Sequence, residues 1–459
     1  LFDNKFDRAM KRSTLPTLAF LAVLVFAGCK KDDPVLPPTP LDEELKAVML
    51  QHARGDLAYY RMPASNDFGR IPQDPRNLLS AEKVALGRLL FHETGIAEAP
   101  KDKAGRNTYS CASCHFAAAG FQAGRVQGLG EGAEGIGLRG EDRLRIAHYA
   151  LNDIDAQPIR SPSAMNGAYQ IVTLWNGQFG ARGPNLGTEY AWWASTPRAF
   201  NHLGYHGLET QAIAGMEVHG LLVDEDILAQ YGYKAMFDQA FSDWPVNQRY
   251  TNETAGLAIA AYERTLLANQ APFQRWLRGE SEAMSEVEKA GALLFFGKAG
   301  CVSCHTGPAL NSMEFYALGM KDLFDCPEEV FRTPTNAAEH LGRGGFTGRP
   351  EDLYKFKAPQ LYNLKDSPFY GHGSSLRSLR EVVAYKNAGQ PENPRVPAVQ
   401  LAPEFKPLGL SEAEIDAITA FLENALYDPE LSRYEPISLP SGLCFPNNDP
   451  LSRAHLGCD

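Results

Sequence analysis

Apolar residues recur at helical spacing through LSAEKVALGRLLFHE, which begins at Leu79, and again through MSEVEKAGALLFFG, which begins at Met284. Aligned on their glycines, Gly87, Leu89, Leu90 and Phe91 correspond to Gly291, Leu293, Leu294 and Phe295, so one helix occurs twice. The second copy opens on a capping box, Ser285 with Glu288, which satisfies two backbone N–H groups that a helix start leaves unpaired. The same periodicity predicts helices at LDEELKAVMLQHARGDLAYY, TAGLAIAAYERTLLA, SLREVVAYKNAG and SEAEIDAITAFLENALY, the last capped by Ser411 and Glu414. Alternation of period two is scarce, and the expected fold is mainly α. From about residue 120 to 207 the periodicity gives way to an irregular stretch rich in Gly, Pro and Trp, and after about residue 428 a loop-rich tail is expected.

Behind each copy of the duplicated helix stands Cys-x-x-Cys-His: Cys111, Cys114 and His115 in NTYSCASCHFAAAG, and Cys301, Cys304 and His305 in GKAGCVSCHTG. Eight cysteines and eleven histidines scattered over 459 residues would give far less than one such motif. The spacing is that of covalent haem c attachment. On one helical turn, cysteines three apart face the same side and reach the two vinyl groups of one haem, while the next residue, histidine, lies under the iron. A zinc site joining all four cysteines would need two pairs that lie far apart in the chain, unlike a zinc ribbon. A redox dithiol belongs beside a βαβ pattern, and these surroundings read helical. Two haem c groups are therefore expected, on two cytochrome-c-like domains related by internal duplication, with irregular loop-rich insertions.

Composition adds the setting. A hydrophobic content of 44% in 459 residues is enough for two cores. The net charge of -11 leaves no basic footprint for nucleic acid, while an acidic surface suits a small basic electron carrier. Near the start, Met10, Lys11 and Arg12 precede LPTLAFLAVLVFAGC, an apolar run too short to span a membrane and of export-signal type. Ala27, Gly28 and Cys29 resemble a bacterial lipobox, with Phe26 where leucine is usual, so Cys29 is the expected lipidation site and a cleaved soluble signal is the alternative. The expected organisation is a signal over 1–29, with 1–9 upstream of the true start, and a Pro-rich tether over 30–42. An N-terminal haem domain with an insertion follows over 43–270, then a C-terminal haem domain over 271–430 and the tail over 431–459. Export to the periplasmic or cell-surface side, with a lipid anchor in a bacterial membrane, is the expected location.

From about Leu79 to Tyr427 the chain resembles the bacterial di-haem cytochrome c peroxidase and MauG family. The resemblance is carried, in order, by LGRLLFHE, CASCHFAAAGFQAG, RSPSAMNGAY, LWNGQFG, GLETQA, GALLFFGKAGCVSCH, FKAPQLYNL, SPFYGHGSSLRSLREVV and PEFKPLGLSEAEIDAITAFL. It implies that peroxide reacts at the haem on His115 and that the haem on His305 receives electrons from a small donor protein, a cytochrome c or cupredoxin. It also implies Glu209, in GLETQA, as the acid–base group. Thr173 stands where the family has a distal glutamine, and Phe121 where it has a tryptophan between the haems. Glu131 replaces a histidine that blocks the resting peroxidatic iron in some members, so an open or water-bound iron is expected.

Two further expectations follow from the resemblance, and a third from the remaining cysteines. Calcium is doubtful, because Arg160 occupies the position of a ligating asparagine, and an ion pair from Arg160 to Asp366 is expected in its place. The sixth ligand of the His305 haem, a methionine or tyrosine in relatives, falls on Lys386 or its neighbour Tyr385, since every methionine lies at or before Met320. Lys386 follows Leu379 by seven and Val382 by four, on an apolar helix face where an unpaired ammonium is costly. Of the remaining cysteines, Cys326, Cys444 and Cys458, the last two are the preferred disulfide because both lie in the tail. The function implied is reduction of hydrogen peroxide. A non-catalytic di-haem electron carrier and a MauG-like oxidase acting on a protein or organic substrate stand as alternatives.

Overall fold

Among the described residues twelve α-helices carry the fold: α1 (Pro40–Leu50), α2 (Ala81–His92), α3 (Gly207–Val218), α4 (Glu225–Gln230), α5 (Lys234–Ala240), α6 (Asn252–Arg264), α7 (Pro272–Leu277), α8 (Glu286–Phe296), α9 (Arg343–Thr347), α10 (Leu379–Ala388), α11 (Glu412–Ala420) and α12 (Pro450–Leu456). They come from a computed structural model of the chain, which describes residues 39–458. The export signal and Cys29 lie outside the described residues. Among the described residues strand is confined to two antiparallel pairs of two-residue strands, β1 (Ala133–Glu134) with β2 (Leu144–Arg145) and β3 (Phe315–Tyr316) with β4 (Phe356–Lys357). Among the described residues no helix is long and apolar enough to cross a membrane.

The capping residues do what their types dictate. Ser285 with Glu288 and Ser411 with Glu414 close the expected boxes at the starts of α8 and α11. The expected long helix at LDEELKAVMLQHARGDLAYY is shorter. It ends at Leu50, the chain turns through Arg54 and Gly55 with φ of 53° and 84°, and only a 3₁₀ turn, Leu57–Tyr60, follows. α1 packs on α8. There Asp42 pairs with Lys289 at 3.0 Å and accepts the Trp276 Nε1–H at 2.6 Å, all three side chains being buried.

Two helix crossings repeat the duplication in three dimensions. α2 crosses α6 and α8 crosses α11, each at its shared glycine. A Cβ on Gly87 would stand 1.8 Å from the Ala258 carbonyl oxygen, and one on Gly291 would stand 1.9 Å from that of Ala417. Beside each glycine the same aromatic contact forms, Phe91 with Tyr262 and Phe295 with Phe421. The correspondence thus extends to the partner helices, with Ala258, Ile259, Tyr262 and Glu263 matching Ala417, Ile418, Phe421 and Leu422.

The tail returns to the first motif. The Pro446 carbonyl accepts from the hydroxyls of Ser110 and Ser113, at 2.9 and 3.2 Å, and Asn448 bonds the backbone of Asn107 and Thr108. Cys444 and Cys458 form the expected disulfide around α12.

Candidate functional site

Each Cys-x-x-Cys-His begins on a 3₁₀ turn, Cys111–Ser113 or Cys301–Ser303, and each is closed by a single antiparallel bridge, Phe116 to Gln122 or Thr306 to Asn311. His115 Nδ1–H donates to the Phe121 carbonyl at 3.0 Å. His305 Nδ1–H donates to the carbonyls of Leu310 and Pro359, both at 3.1 Å. Phe121 and Leu310 both adopt left-handed backbone, with φ of 52° and 47°, which turns their carbonyls toward the rings. A carbonyl only accepts, so the proton sits on Nδ1 and Nε2 keeps its lone pair, the tautomer of a metal-ligating histidine. Burial lowers the pKa of both rings, that of His305 to about 4, which keeps them neutral.

None of the four motif cysteines is paired in a disulfide, and one cavity of about 690 Å³ is lined by both motifs. Among the described residues no cluster of three or more His, Cys, Asp or Glu is placed to hold a metal ion directly. The donor set is that of haem c, two thiols and one lone-pair nitrogen at each end of a shared cavity. The walls also suit the carboxylates of a haem edge. Lys357 is buried with its ammonium on the neutral Gln170 Oε1 at 2.7 Å, and burial alone lowers its pKa to about 8. Between the motifs the wall is aromatic: His372 stacks on Phe356 with centroids 3.6 Å apart, and Trp175 meets His372 edge-on at 6.4 Å.

Of the residues assigned by resemblance, some face this cavity and some do not. Thr173 lines it, with its hydroxyl donating to the Gly207 carbonyl at 3.1 Å. Glu209 is fully buried between α3 and α6, where both carboxylate oxygens are held by Arg264, and it is not on the cavity wall. Phe121 is likewise off the wall, its ring packed against Phe91 and Tyr434. Glu131 is occupied by the Tyr149 hydroxyl at 2.7 Å and by the backbone N–H groups of Lys101 and Asp102. Lys386 reaches the cavity near His305, where burial lowers its pKa against the opposing influence of Cys301 and Cys304. Tyr385 points elsewhere and donates its hydroxyl to the Leu318 carbonyl at 2.6 Å.

The expected ion pair from Arg160 to Asp366 is not formed. Arg160 turns to the carbonyls of Ala123 and Arg125, to Gln122 Oε1 at 2.9 Å and to Ser367 Oγ at 2.7 Å. Asp366 takes the Asn363 amide at 3.1 Å instead. The guanidinium is satisfied by a ring of neutral oxygens, so it needs no carboxylate to be buried there.

Two groups on the cavity wall were not singled out from sequence. His219, at the end of α3, bonds Asp155 through Nδ1 at 2.7 Å, and that carboxylate raises its pKa against the opposing effect of burial. Glu263, on α6, is buried with Oε2 unpartnered. The signal for Glu263 was present in the repeat: aligning TAGLAIAAYERTLLA with SEAEIDAITAFLENALY puts a carboxylate opposite Leu422.

A sequence profile described as di-haem cytochrome c peroxidase matches residues 81–282. Cytochrome-c peroxidase IdrP1 of Denitromonas iodatirespirans is 30% identical over 404 residues, which cover 84% of this chain and 90% of that protein. The methylamine utilization protein MauG of Methylorubrum extorquens is 28% identical over 377 residues, covering 81% and 84%. Among solved structures, a MauG-like protein associated with microbial copper homeostasis has the same fold at a TM-score of 0.56 and 23% identity, over 81% of this chain and 95% of its own.

Proposed function

The chain belongs to the di-haem cytochrome c peroxidase family, and we propose that it reduces hydrogen peroxide to water with electrons from a small redox protein. Each peroxide takes two electrons and two protons to give two waters. The observation that supports this most is the single cavity joining two Cys/Cys/His sites whose imidazoles both present an unprotonated Nε2. Haem, when bound, supplies the iron at which peroxide is reduced and a second redox centre beside it. The chain holds each group by thioethers from Cys111 and Cys114, or Cys301 and Cys304, and by the imidazole of His115 or His305. The Phe121 and Leu310 carbonyls fix the ring orientations and raise ligand basicity. Lys357 offers a charge partner to a haem carboxylate.

The two ends of the cavity differ in one respect that bears on their roles. Lys386 enters near His305, where burial disfavours its ammonium, and its amine would be a candidate sixth ligand there, in keeping with a haem that passes electrons. The run ending at Cys29 and the tether behind it support export and lipid anchoring. The reading is tested by stopped-flow absorbance of the haem-loaded protein mixed with peroxide, in resting and half-reduced forms. Turnover with a reduced donor is expected. Oxidised product formed only stoichiometrically, without turnover, would favour a carrier instead.

A further inference from the structure

The internal repeat provides its own control for each position around the two haem sites. On α11 and the π-helical turn that continues it, Phe421–Ala425, Ile418 and Leu422 line the cavity, and on α6 the corresponding Ile259 and Glu263 line it too, with Glu263 close enough to Cys111 of the first motif to act on its charge. An apolar position in one copy is thus a carboxyl in the other. Glu263 is 5% exposed, and its Oε2 has no hydrogen-bond partner. The neighbouring cation gives it no hydrogen bond, because Arg264 is committed to Glu209 through Nε at 2.8 Å and Nη2 at 2.7 Å, and acts on it only through space. A buried carboxyl in that position is tolerable as an acid and expensive as an anion, unless a positive charge in the pocket, such as that of an oxidised haem, offsets it.

We propose that Glu263 is the proton-exchanging group of the first haem pocket, taking up one proton from water as one electron enters that pocket and releasing it when the electron leaves. This rests on the haem-loaded reading given above. One added electron and one added proton leave the pocket's net charge unchanged, and the electron comes from the donor protein. An apolar residue at this position, as in the second pocket, would leave the added charge uncompensated.

The electrostatic surroundings favour such exchange near neutrality. Burial, followed by the charge of Glu209 on α3, pushes the Glu263 carboxyl up to about 8, with Arg264 opposing. From the motif turn the facing group is the thiol of Cys111, which haem attachment converts to a thioether. Within α6, Tyr262 lies close and stays protonated through burial. The α2 groups act elsewhere, Lys83 on Glu209, and Arg88 and His92 on Tyr262.

The test is reduced-minus-oxidised infrared difference spectroscopy of the haem-loaded full chain, with a redox titration of each haem across pH. Wild type, Glu263→Gln and Glu263→Leu are compared, the last copying the second pocket. In wild type, reduction is expected to raise a protonated-carboxyl stretch that shifts in deuterium oxide, and the potential of the first haem is expected to fall as pH rises. Both effects should be absent from both variants, with the second haem's pH dependence unchanged. A carboxyl band that survives in both variants, or equal pH slopes in all three proteins, would overturn the proposal. Haem content per chain, read from absorbance in each sample, separates that result from a failure of the haem reading.

Discussion

Arg264 and Glu209 form a closed pair at the heart of the first half of the chain, with the guanidinium donating to both carboxylate oxygens and neither side chain more than 1% exposed. The geometry turns Glu209 toward α6 and away from the cavity. Removing one partner of such a pair leaves the other charged and buried, a loss of about 3–5 kcal/mol. Glu209→Gln is therefore expected to lower stability in denaturant titration by that order, and Arg264→Met with Glu209→Gln by less than the two single changes added. Additive losses would show that the pair is not coupled. If Glu209 also moves protons for peroxide, as its motif implies, turnover of the haem-loaded Gln variant falls by at least about tenfold.

The duplicated glycines allow a sharper comparison. Gly87→Ala would put a Cβ 1.8 Å from the Ala258 carbonyl, whereas at Gly69 the same substitution meets nothing within 4 Å. Forcing α2 from α6 should cost at least the roughly 1–3 kcal/mol typical of overpacking, with Gly69→Ala close to neutral. Thermal unfolding of the two variants checks this. Equal melting temperatures would mean that the crossing is looser than these contacts imply.

These crossings also show what the sequence made legible. The shared helix, its glycine, the capping boxes and both haem motifs are short-range patterns, readable because spacing alone determines which groups share a face. The disulfide was readable for a similar reason, since both cysteines lie in the tail. Where a side chain points across the fold was not. Glu209 and Arg264 are 55 residues apart, and nothing local in GLETQA tells whether its carboxylate faces a cavity or a neighbouring helix. The surroundings of Arg160 are hidden in the same way: two of its four oxygen partners are backbone carbonyls, which carry no sequence signature, and Ser367 lies 207 residues away. The end of α1 at Leu50 depended on a turn at Arg54 and Gly55 that periodicity alone did not weigh.

Glu263 also predicts a stability profile, independent of any redox measurement. Burial pushes its folded pKa up to about 8, above the ordinary glutamate value of 4.5, so between these values the folded chain binds more protons than the unfolded one. Stability from this group is present below about 4.5 and is lost as pH rises toward 8. Glu263→Gln should remove that component, so the variant gains on wild type across this window and the difference levels off above it. Parallel stability curves for the two proteins from pH 5 to about 8 would show that the carboxyl is better satisfied than its burial suggests.

Lys386 and Tyr385 are adjacent on α10, yet only the lysine reaches the cavity near His305, while the tyrosine hydroxyl is engaged by the Leu318 carbonyl. Burial disfavours the ammonium, and the nearby Cys301 and Cys304 become neutral thioethers once haem is attached, so they no longer favour the charged form. If a haem is held on His305, the Lys386 amine is the proposed sixth ligand. Replacing that nitrogen should change both spin state and potential. Lys386→Met is expected to raise the potential of the second haem, because thioether ligation favours the reduced iron, and Lys386→Ala is expected to remove the low-spin amine charge-transfer band in magnetic circular dichroism. A tyrosine ligand would leave the band and potential of the Ala variant as in wild type and respond instead to Tyr385→Phe. The His115 haem serves as the internal reference in each spectrum, since Lys386 lies in the other half of the repeat and its loss should leave that haem's band in place.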